Sequence, residues 1–331
     1  DGPAALAFTD GRIVAAVLDR NGLRPARYIV TKDGMILMGS EVGVIDIPDE
    51  NVREKGRLGP GQLIAVDLTK GCLIRDKEAK EEIIHRAPYR NWLKKNLYHP
   101  TPQSPRGNGQ WKDGASLLQK EIAFNYTFED LTMFIKPMVV DAKDPVGSMG
   151  DDTPLAVLST RARRLEGYFK QLFAQVTNPA IDPIREELVM SLHTLLGRRR
   201  NLLEETETHA KLIQLATPIL YNEDLKHLRS LDEPAFQSEI ISCLFEATDG
   251  PEGLEAAIDR ITEEAANTVR AGKTLLILSD RGVNAEKVPA PMLLAVGAVH
   301  HHLIREGIRM KASLLLETGA PHEIHHFALL L

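Results

Sequence analysis

Two short and almost purely apolar runs in the last third of the chain restrict its fold most strongly. Residues 274–279 (TLLILS) and 313–317 (SLLLE) have the length of strands, and residues 291–307 between them have the length and apolar spacing of a helix. A strand that is apolar on both faces has to be covered on both faces, which is the situation of parallel strands joined by helices. The sequence therefore predicts a buried parallel β-sheet within an α/β fold.

The same alternation begins earlier in the second half of the chain. Residues 238–245 have a strand pattern and residues 253–271 have a helix pattern. Gly282 and Gly319 come shortly after two of the predicted strands, where the loops of α/β proteins commonly carry function. Neither G-x-G-x-x-G nor G-x-x-x-x-G-K-[S/T] occurs, so the sequence does not predict a dinucleotide site or a P-loop.

The front of the chain, residues 4–73, has the pattern of antiparallel β-structure. Turn-forming pairs such as Asp10-Gly11 and Asp33-Gly34 separate short apolar or β-branched runs. These runs are residues 5–8, 12–18, 27–30, 35–38 and 62–66. Turns this tight connect neighbouring antiparallel strands, so the sequence predicts at least two hairpins.

A stretch rich in proline and glycine marks the predicted domain boundary. Residues 77–86 and 90–97 have the charge pattern of helices, and the chain then gathers Pro100, Pro102, Pro105, Gly107, Gly109 and Gly114. The sequence predicts a first domain over residues 1–97, a linker over residues 98–114 and a second domain over residues 115–331.

The region after this linker is predicted to be mainly helical. Helices are expected over residues 117–124, 127–140, 161–175 and 183–197, with a strand over residues 155–158. Three arginines, Arg198 to Arg200, follow the last of these helices. They could contact phosphate or RNA, but the favoured interpretation is the cationic end of a helix, because positive charge stabilises a helix C-terminus.

Composition excludes several classes of function. The net charge of -6 disfavours a general nucleic-acid binder, which would normally be basic. Two cysteines, Cys72 and Cys243, lie far apart and match no zinc or C-x-x-C spacing, as expected for a reducing compartment. The longest apolar runs are much shorter than a membrane span, so no membrane association is expected.

Two motifs resemble a known family. Residues 147–159 (GSMGDDTPLAVLS) followed by residues 168–186 (YFKQLFAQVTNPAIDPIRE) are similar to the start of the central domain of the glutamate synthase large subunit. Residues 19–25 (DRNGLRP), with Gly39-Ser40-Glu41, resemble the closing part of class II glutamine amidotransferase domains. One departure is Phe124-Asn125-Tyr126, where family members usually carry Phe-Gly-Tyr.

The resemblance implies a mixed α/β fold. Its first part would be a truncated piece of an amidotransferase domain of the αββα type, which is built on antiparallel sheets. Its second part would be an α/β central domain with mostly parallel strands that resembles a degenerate barrel.

The resemblance also implies an activity for the complete enzyme, in which glutamine and 2-oxoglutarate give two glutamates. The family uses FMN, an iron–sulfur cluster and electrons from NAD(P)H or ferredoxin, in some cases through a partner subunit that carries FAD. The nucleophilic N-terminal cysteine of the family belongs upstream of Asp1. We therefore expect no catalytic residue, cofactor or metal in this chain, and no turnover by it alone.

Further expectations from the family concern partners and location. The partners would be the rest of the large subunit, namely the amidotransferase domain, the FMN barrel and the C-terminal domain, together with a small subunit or ferredoxin. The location would be the cytoplasm, or the plastid in a photosynthetic eukaryote. The sequence does not identify the electron donor or the oligomeric state.

Thr177 and Asn178 are the predicted site residues. In the family, the matching residues line an internal passage that carries ammonia from the glutaminase site to the flavin site. Such a passage requires small polar groups that bind NH3 without protonating it, and it has to exclude bulk water. Thr177 and Asn178 fit this requirement, whereas a carboxylate would not. A capping role at the helix entry marked by Asp182 and Pro183 is compatible with either interpretation.

Three other groups of residues have both a functional and a structural interpretation. Asn21-Gly22 could form an oxyanion site but is more typical of a tight turn. Asp280-Arg281 could bind an anion, although an ion pair at the end of the strand is favoured. The histidine-rich end includes His300, His301, His302, His322, His325 and His326. It could suggest a metal-dependent hydrolase, but three consecutive helical residues cannot converge on one ion, so interior histidines are favoured.

A second alternative for the whole chain is a stand-alone α/β module with a regulatory or interaction role. The start at Asp1 and the end at Leu331 within an apolar run led us to favour a segment of a longer enzyme.

Overall fold

The computed structural model describes residues 3–41, 43–101, 115–143, 145, 154, 156–172, 181 and 183–331. The chain forms two compact units, Asp1–Asn91 and Trp92–Leu331. The change between units thus falls within the second predicted helix of the front region. The predicted linker remains a prediction, because most of it lies outside the described residues. No helix in the described part of the chain is long and apolar enough to cross a membrane.

The first unit is built from two antiparallel sheets, as predicted. One sheet has the order β1-β2-β6-β7 and the other β4-β3-β5. The strands are β1 (Ala5–Thr9), β2 (Ile13–Leu18), β3 (Arg27–Thr31), β4 (Ile36–Gly39), β5 (Val52–Arg57), β6 (Leu63–Asp67) and β7 (Cys72–Arg75). The β1–β2 and β3–β4 hairpins turn at the two predicted Asp-Gly pairs.

Strand β5 was not predicted, because its sequence VREKGR is charged and carries no apolar run. It forms because β3 offers it a paired edge, and its residues alternate between exposed and half-buried positions. Gly56, the next-to-last residue of β5, packs closely against Tyr28, since a Cβ atom there would overlap the far end of the Tyr28 ring, which would have to shift. Pairing and close packing, and not local hydrophobicity, thus place this strand.

The predicted tight turn at Asn21-Gly22 is confirmed, and a side chain holds it. The Asp19 carboxylate accepts hydrogen bonds from the backbone N–H groups of Asn21, Leu23 and Arg24. The strands on either side, β2 and β3, belong to different sheets, so this turn joins two sheets and does not close a hairpin. Helix α1 (Asp76–His85) follows β7, and α2 (Tyr89–Asn96) comes next, as predicted.

The second unit contains the predicted parallel sheet. Its strands are β10 (Ser238–Ser242), β12 (Leu275–Ser279) and β14 (Ser313–Glu317), in the order β10-β12-β14 and all parallel. Helices α7 (Gly250–Arg270) and α8 (Met292–Arg305) are the crossovers between them. All five residues of β12 are buried.

The two faces of β12 pack into different clusters. Leu276 and Leu278 pack with apolar side chains of α7 and α8. Leu275 and Ile277 pack with side chains of α6 (Asn222–Arg229) and of the small antiparallel pair β8 (Thr194–Leu196) and β9 (Ile213–Leu215). Layers on both faces therefore explain why this strand is apolar at every position except its last.

The remaining described elements are small. Strands β11 (Leu244–Glu246) and β13 (Lys287–Pro289) pair antiparallel, and α9 (Ile324–Leu330) follows the loop after β14. The predicted single strand at residues 238–245 is thus two strands, separated at Cys243, whose backbone N–H still bonds to Ser279. Helix α3 (Leu117–Ala123) begins after Ser116, whose hydroxyl accepts from the Gln119 N–H at 3.2 Å.

The middle of the second unit contradicts several predictions. The predicted helix at residues 127–140 is confirmed over residues 128–140, although its middle, Asp130–Ile135, is π-helical and only its end is α4 (Lys136–Val140). The predicted strand at residues 155–158 is wrong, since Val157 and Leu158 lie exposed in a turn. Most of the predicted helix at residues 161–175 is also absent from the described positions, where only the 3-10 turn Leu165–Tyr168 forms.

The next predicted helix is shorter than expected. Helix α5 (Pro183–Val189) ends well before residue 197, because the following residues pair as β8 with β9. Arg198 to Arg200 therefore follow a strand and do not end a helix, so the favoured interpretation of this cluster was wrong. Cross-strand pairing with a segment distant in sequence overrides the local helical pattern here.

Candidate functional site at the carboxyl edge of the parallel sheet

The carboxyl ends of β12 and β14 bring two polar segments side by side. Ser279, the last residue of β12, is in register with Glu317, the last residue of β14. Asp280 and Arg281 follow the first strand, and Thr318 follows the second. This is the edge of a parallel sheet at which α/β proteins commonly bind ligands.

Asp280 is the buried carboxylate of this edge, with 3% of its surface exposed. It accepts a hydrogen bond from the Thr318 hydroxyl and another from the Gly319 N–H at 3.2 Å. Burial raises the pKa of Asp280 to about 6, against the lowering effect of these hydrogen bonds. The group is therefore half-protonated near pH 6 and mostly ionised at pH 7.

Arg281 and Glu317 form the ion pair that the sequence favoured. Nε of Arg281 donates to Oε1 of Glu317 at 2.7 Å, and Nη2 lies 2.7 Å from the same oxygen. The Ser279 hydroxyl donates to the other carboxylate oxygen at 2.6 Å, and Nη2 of Arg281 also donates to Asn222 at 3.3 Å. Glu317 is almost fully buried, whereas the Arg281 side chain keeps 39% of its surface exposed.

A histidine-centred network lies behind this edge. Nδ1 of His322 accepts from Nη1 of Arg164 at 2.9 Å, while Nε2 lies 3.2 Å from the carboxylate of Asp130. The guanidinium of Arg164 also donates to the backbone carbonyl of Ala320. Burial, reinforced by the positive charge of Arg164, lowers the pKa of His322. The neutral ring therefore acts as both acceptor and donor.

This network supplies a physical reason why the described part of the predicted helix, residues 161–172, is not an α-helix. The backbone carbonyls of Glu166 and Phe169 lie 3.3 Å and 3.1 Å from Nε2 of His325. In a continuous helix these carbonyls would accept N–H groups of the next turn. Together with the contacts of Arg164 to the loop after β14, these bonds to His325 of α9 hold the segment in a non-helical form.

His322, His325 and His326 are buried and contact protein groups, as the favoured interpretation expected, whereas His301 is exposed. His326 is buried, with Nε2 lying 3.0 Å from Glu323, and burial lowers its pKa to about 3. His300 accepts from Arg309 at 3.1 Å, and the rings of His300 and His301 stand at 87° to each other. Within the residues that the structure describes, no group of three or more His, Cys, Asp or Glu side chains is arranged to hold a metal ion.

The loop at residues 124–126 reaches the same edge, which the sequence interpretation missed. The Tyr126 hydroxyl donates to the carbonyl of Gly319 at 2.9 Å. Asn125 has φ of 53°, in the left-handed region that glycine adopts most easily and asparagine tolerates. A Cβ on Gly319 would lie 2.9 Å from the Phe124 ring. The unusual Phe-Asn-Tyr sequence at residues 124–126 marked this loop, but the sequence did not identify Gly319 as the residue that it contacts.

The predicted conduit residues cannot be placed in this geometry. Thr177 and Asn178 lie outside the described residues, as does the whole Gly-Ser-Met-Gly-Asp-Asp motif at residues 147–152. Of the two cysteines, Cys72 is exposed in the first unit and Cys243 is buried in the second. Burial raises the pKa of the Cys243 thiol to about 12, so it is protonated at neutral pH and is a poor nucleophile.

Family comparisons agree with the two-unit division. The family model of the glutamate synthase central domain matches residues 119–331, which is more than half of the chain. The chain belongs to the glutamate synthase central domain family. The family model of class II glutamine amidotransferases matches residues 1–92, which nearly coincides with the first compact unit. The family resemblance and the mixed α/β fold class are therefore both confirmed.

Similar proteins match this member of the glutamate synthase family over its whole length. The chain is 48% identical to the glutamate synthase [NADPH] large chain of Bacillus subtilis, with 100% of the chain and 21% of the relative covered. It is 47% identical to ferredoxin-dependent glutamate synthase 2 of Synechocystis, with the same coverage. It is 44% identical to the NADPH large chain of Azospirillum brasilense, with 100% of the chain and 22% of the relative covered.

The chain thus spans about a fifth of the length of these relatives. Their names include both NADPH and ferredoxin, so similarity does not distinguish between the two electron donors. A relative from Arabidopsis thaliana, 45% identical, is named as chloroplastic.

Proposed function

We propose that this chain is part of a glutamate synthase large chain that converts glutamine and 2-oxoglutarate, with two electrons from a reductant, into two molecules of glutamate. The observation that carries the proposal is the order of the two family matches. An amidotransferase segment and a central domain follow one another, and two relatives named as glutamate synthase large chains match the whole chain at 48% and 44% identity. No described residue is assigned to the chemical step.

In this proposal, the chain acts as a scaffold and an ammonia conduit between two distant active sites. Thr177 and Asn178 would line the passage, and their support is the family motif, since they lie outside the described residues. A hydroxyl and a carboxamide can hydrogen-bond neutral ammonia, and neither donates a proton to it near neutral pH. Replacing them with apolar groups would remove these contacts without adding a titratable group.

The iron–sulfur cluster and the flavin belong, in this proposal, to parts of the enzyme outside this chain. Clusters are commonly held by four thiolates, whereas the chain has two cysteines, one in each compact unit. A cavity of about 520 Å³ beside β14 has mainly aliphatic walls. Its only lysine or arginine among the described residues is Arg309, which is a poor match for the phosphate of FMN.

The same reasoning sets the partners and the location that we propose. The partners are the remaining domains of the large chain and either a small subunit or ferredoxin. The location is the cytoplasm or, in a photosynthetic eukaryote, the plastid.

A coupling experiment tests the function and the conduit separately. In the complete enzyme, we expect Thr177→Val and Asn178→Val to release free ammonia during glutamine-dependent turnover, because the transfer between the two sites becomes leaky. The ratio of glutamine consumed to glutamate formed would rise. Thr208→Val, at an exposed threonine, is the matched control and should leave coupling tight.

Two results would contradict different parts of the proposal. If the complete enzyme, supplied with an electron donor, forms no glutamate from glutamine and 2-oxoglutarate, the activity is wrong. If it does, and both variants remain tightly coupled, the activity stands and the conduit role is wrong.

The 331-residue chain alone should hydrolyse no glutamine and form no glutamate. Ammonia release from glutamine by the purified chain measures this directly. Any glutaminase turnover that follows the chain through purification would show that a nucleophile lies within it.

A further inference from the structure

A cationic cavity lies beside the Arg281–Glu317 pair. It measures about 460 Å³ and is bordered by Asn222, Lys226 and Arg229 of α6, in addition to the ion pair itself. Three of these side chains are cations and only one is a carboxylate. The cavity is thus more positive than the chain as a whole, whose net charge is -6.

The cavity residues of α6 form one face of that helix. Asn222, Lys226 and Arg229 are spaced four and three residues apart, which places them on one side of the helix. Arg281 donates to Asn222 at 3.3 Å and so approaches this face at its first residue. Cations from two segments of the chain therefore converge on one space.

Glu317 holds the arginine in position. Its carboxylate is bonded on one oxygen by Arg281 and on the other by the Ser279 hydroxyl. Glu317 is nearly buried, so its carboxylate interacts mainly with these two partners. The guanidinium of Arg281 is more exposed and borders the cavity. A planar guanidinium with a fixed orientation is well suited to a carboxylate or a phosphate group.

A purely structural explanation covers only part of this arrangement. Lys226 and Arg229 lie in the last turn of α6, where positive charge stabilises a helix. That effect does not explain Arg281, which comes from the end of a strand and borders the same cavity. The convergence at the carboxyl edge of a parallel sheet, where ligands commonly bind, is the stronger observation.

We propose that this cavity binds a small anion with at least two negative charges, carried by carboxylate or phosphate groups, through Arg281, Lys226 and Arg229. The inference does not depend on the proposed function, because it rests on charges and contacts within the second unit.

Calorimetric titration of the chain at low ionic strength tests the proposal. The probes are malonate as a dicarboxylate, inorganic phosphate, and acetate as a monovalent control. We expect saturable binding of malonate or phosphate with a stoichiometry of one, tighter than that of acetate. Binding should weaken as salt is added, because the site is open to solvent. Whichever divalent probe binds identifies the chemical class.

Variants assign the site to its residues. Arg281→Gln should weaken binding by about tenfold, the loss expected for a charge-assisted hydrogen bond. Lys226→Gln and Arg229→Gln should each weaken it by roughly threefold, since both are exposed cations whose charge is screened by solvent. Arg305→Gln is the matched control, because Arg305 is an exposed cation in the last turn of α8, away from the cavity, and binding should be unchanged.

Either of two results would overturn the proposal. One is that malonate and phosphate bind no more tightly than acetate. The other is that their affinity is the same in the wild-type chain, Lys226→Gln and Arg229→Gln. These two exposed positions keep the test decisive even if Arg281→Gln does not fold.

Discussion

Two aspartates, one in each compact unit, directly follow strands, and yet their pKa values are shifted in opposite directions from the ordinary value. Asp10 lies in the exposed β1–β2 turn and accepts the N–H groups of Ile13 and Arg12 at 2.7 Å and 2.9 Å, which lowers its pKa. Asp280 also accepts hydrogen bonds, but its burial outweighs them and raises its pKa to about 6. The difference shows that burial by the surrounding layers, and not the local turn, decides the direction in which the pKa of Asp280 shifts.

The two units differ in the same way in their strands. All five residues of β1 are exposed, whereas all five residues of β12 are buried. Strand β1 is held mainly by its hydrogen bonds to β2, while β12 is paired on both edges and covered on both faces. Substitutions in the second unit should therefore have the larger effects, and four predictions test this difference.

The largest effect is expected in the core of the parallel sheet. Leu278→Ala should lower the free energy of unfolding of the second unit by about 3 kcal/mol, because it leaves a cavity in a closely packed region. Leu6→Ala, at a residue of β1 that is 57% exposed, should change stability by less than about 0.5 kcal/mol. Denaturant unfolding followed by hydrogen exchange of each unit measures both. Equal losses would show that the two units do not differ in packing.

The second prediction compares two arginine–glutamate pairs. Glu317→Gln should destabilise the second unit by about 2 kcal/mol, since it removes the buried partner of Arg281. Glu54→Gln removes the partner of Arg75 in the first unit. The side chains of Arg75 and Glu54 are 44% and 35% exposed, so the loss of stability should be only about 0.5 kcal/mol. The same denaturant series measures both losses. A larger loss for Glu54→Gln would reverse the comparison.

The third prediction is a gain in stability. Asp280 has a folded pKa above its ordinary value of 3.8, so it favours the fold only when protonated, and its contribution declines as pH rises from about 4 to 6. Asp280→Asn should therefore stabilise the second unit by about 1 to 2 kcal/mol at pH 7 and give little gain at pH 4. Unfolding measured across this range tests the slope.

Asp10→Asn is the control for this slope and should act with the opposite sign. Because the pKa of Asp10 is lowered, its carboxylate favours the fold above pH 3.8, and that contribution is lost in acid. If Asp280→Asn gives the same gain at pH 4 and pH 7, the buried charge is not the cause.

The smallest effect at neutral pH is expected at His326. Its folded pKa of about 3 lies below the ordinary 6.5, so the neutral ring favours the fold above pH 6.5, and that contribution is lost as pH falls toward 3. His326→Gln should remove this contribution to the pH dependence of stability, so acid should destabilise the second unit less than in the wild-type chain. His193→Gln, at an exposed histidine, is the control. Equal acid sensitivity in both variants would contradict the prediction.

Short-range sequence patterns predicted the structure of the first and last parts of the chain well. The hairpins of the first unit follow from turn pairs and apolar runs a few residues long, and both act through local backbone geometry. The parallel sheet follows from strands that are apolar almost throughout. The predictions for the middle of the chain were wrong because the contacts that fix its structure are with residues distant in sequence. Arg164, for example, contacts His322, which lies 158 positions later.

The candidate site divides along the same line. Asp280 and Arg281 were recognised from the sequence as polar residues after a buried strand. Their partners were not, because Asn222 and Thr318 carry no local signal and reach the site through α6 and the β14 loop. The family motif identified Thr177 and Asn178, and their role remains a proposal.

The sequence by itself determined which segments are strands of a buried parallel sheet and to which family the chain belongs. Periodicity and motifs carry this information because they act over a few residues. Only the tertiary structure decided that β2 and β3 part into different sheets, and that Ser279 and Glu317, 38 residues apart, share one edge. The register between β12 and β14 places Ser279 beside Glu317, and burial of this edge by the neighbouring layers raises the pKa of Asp280.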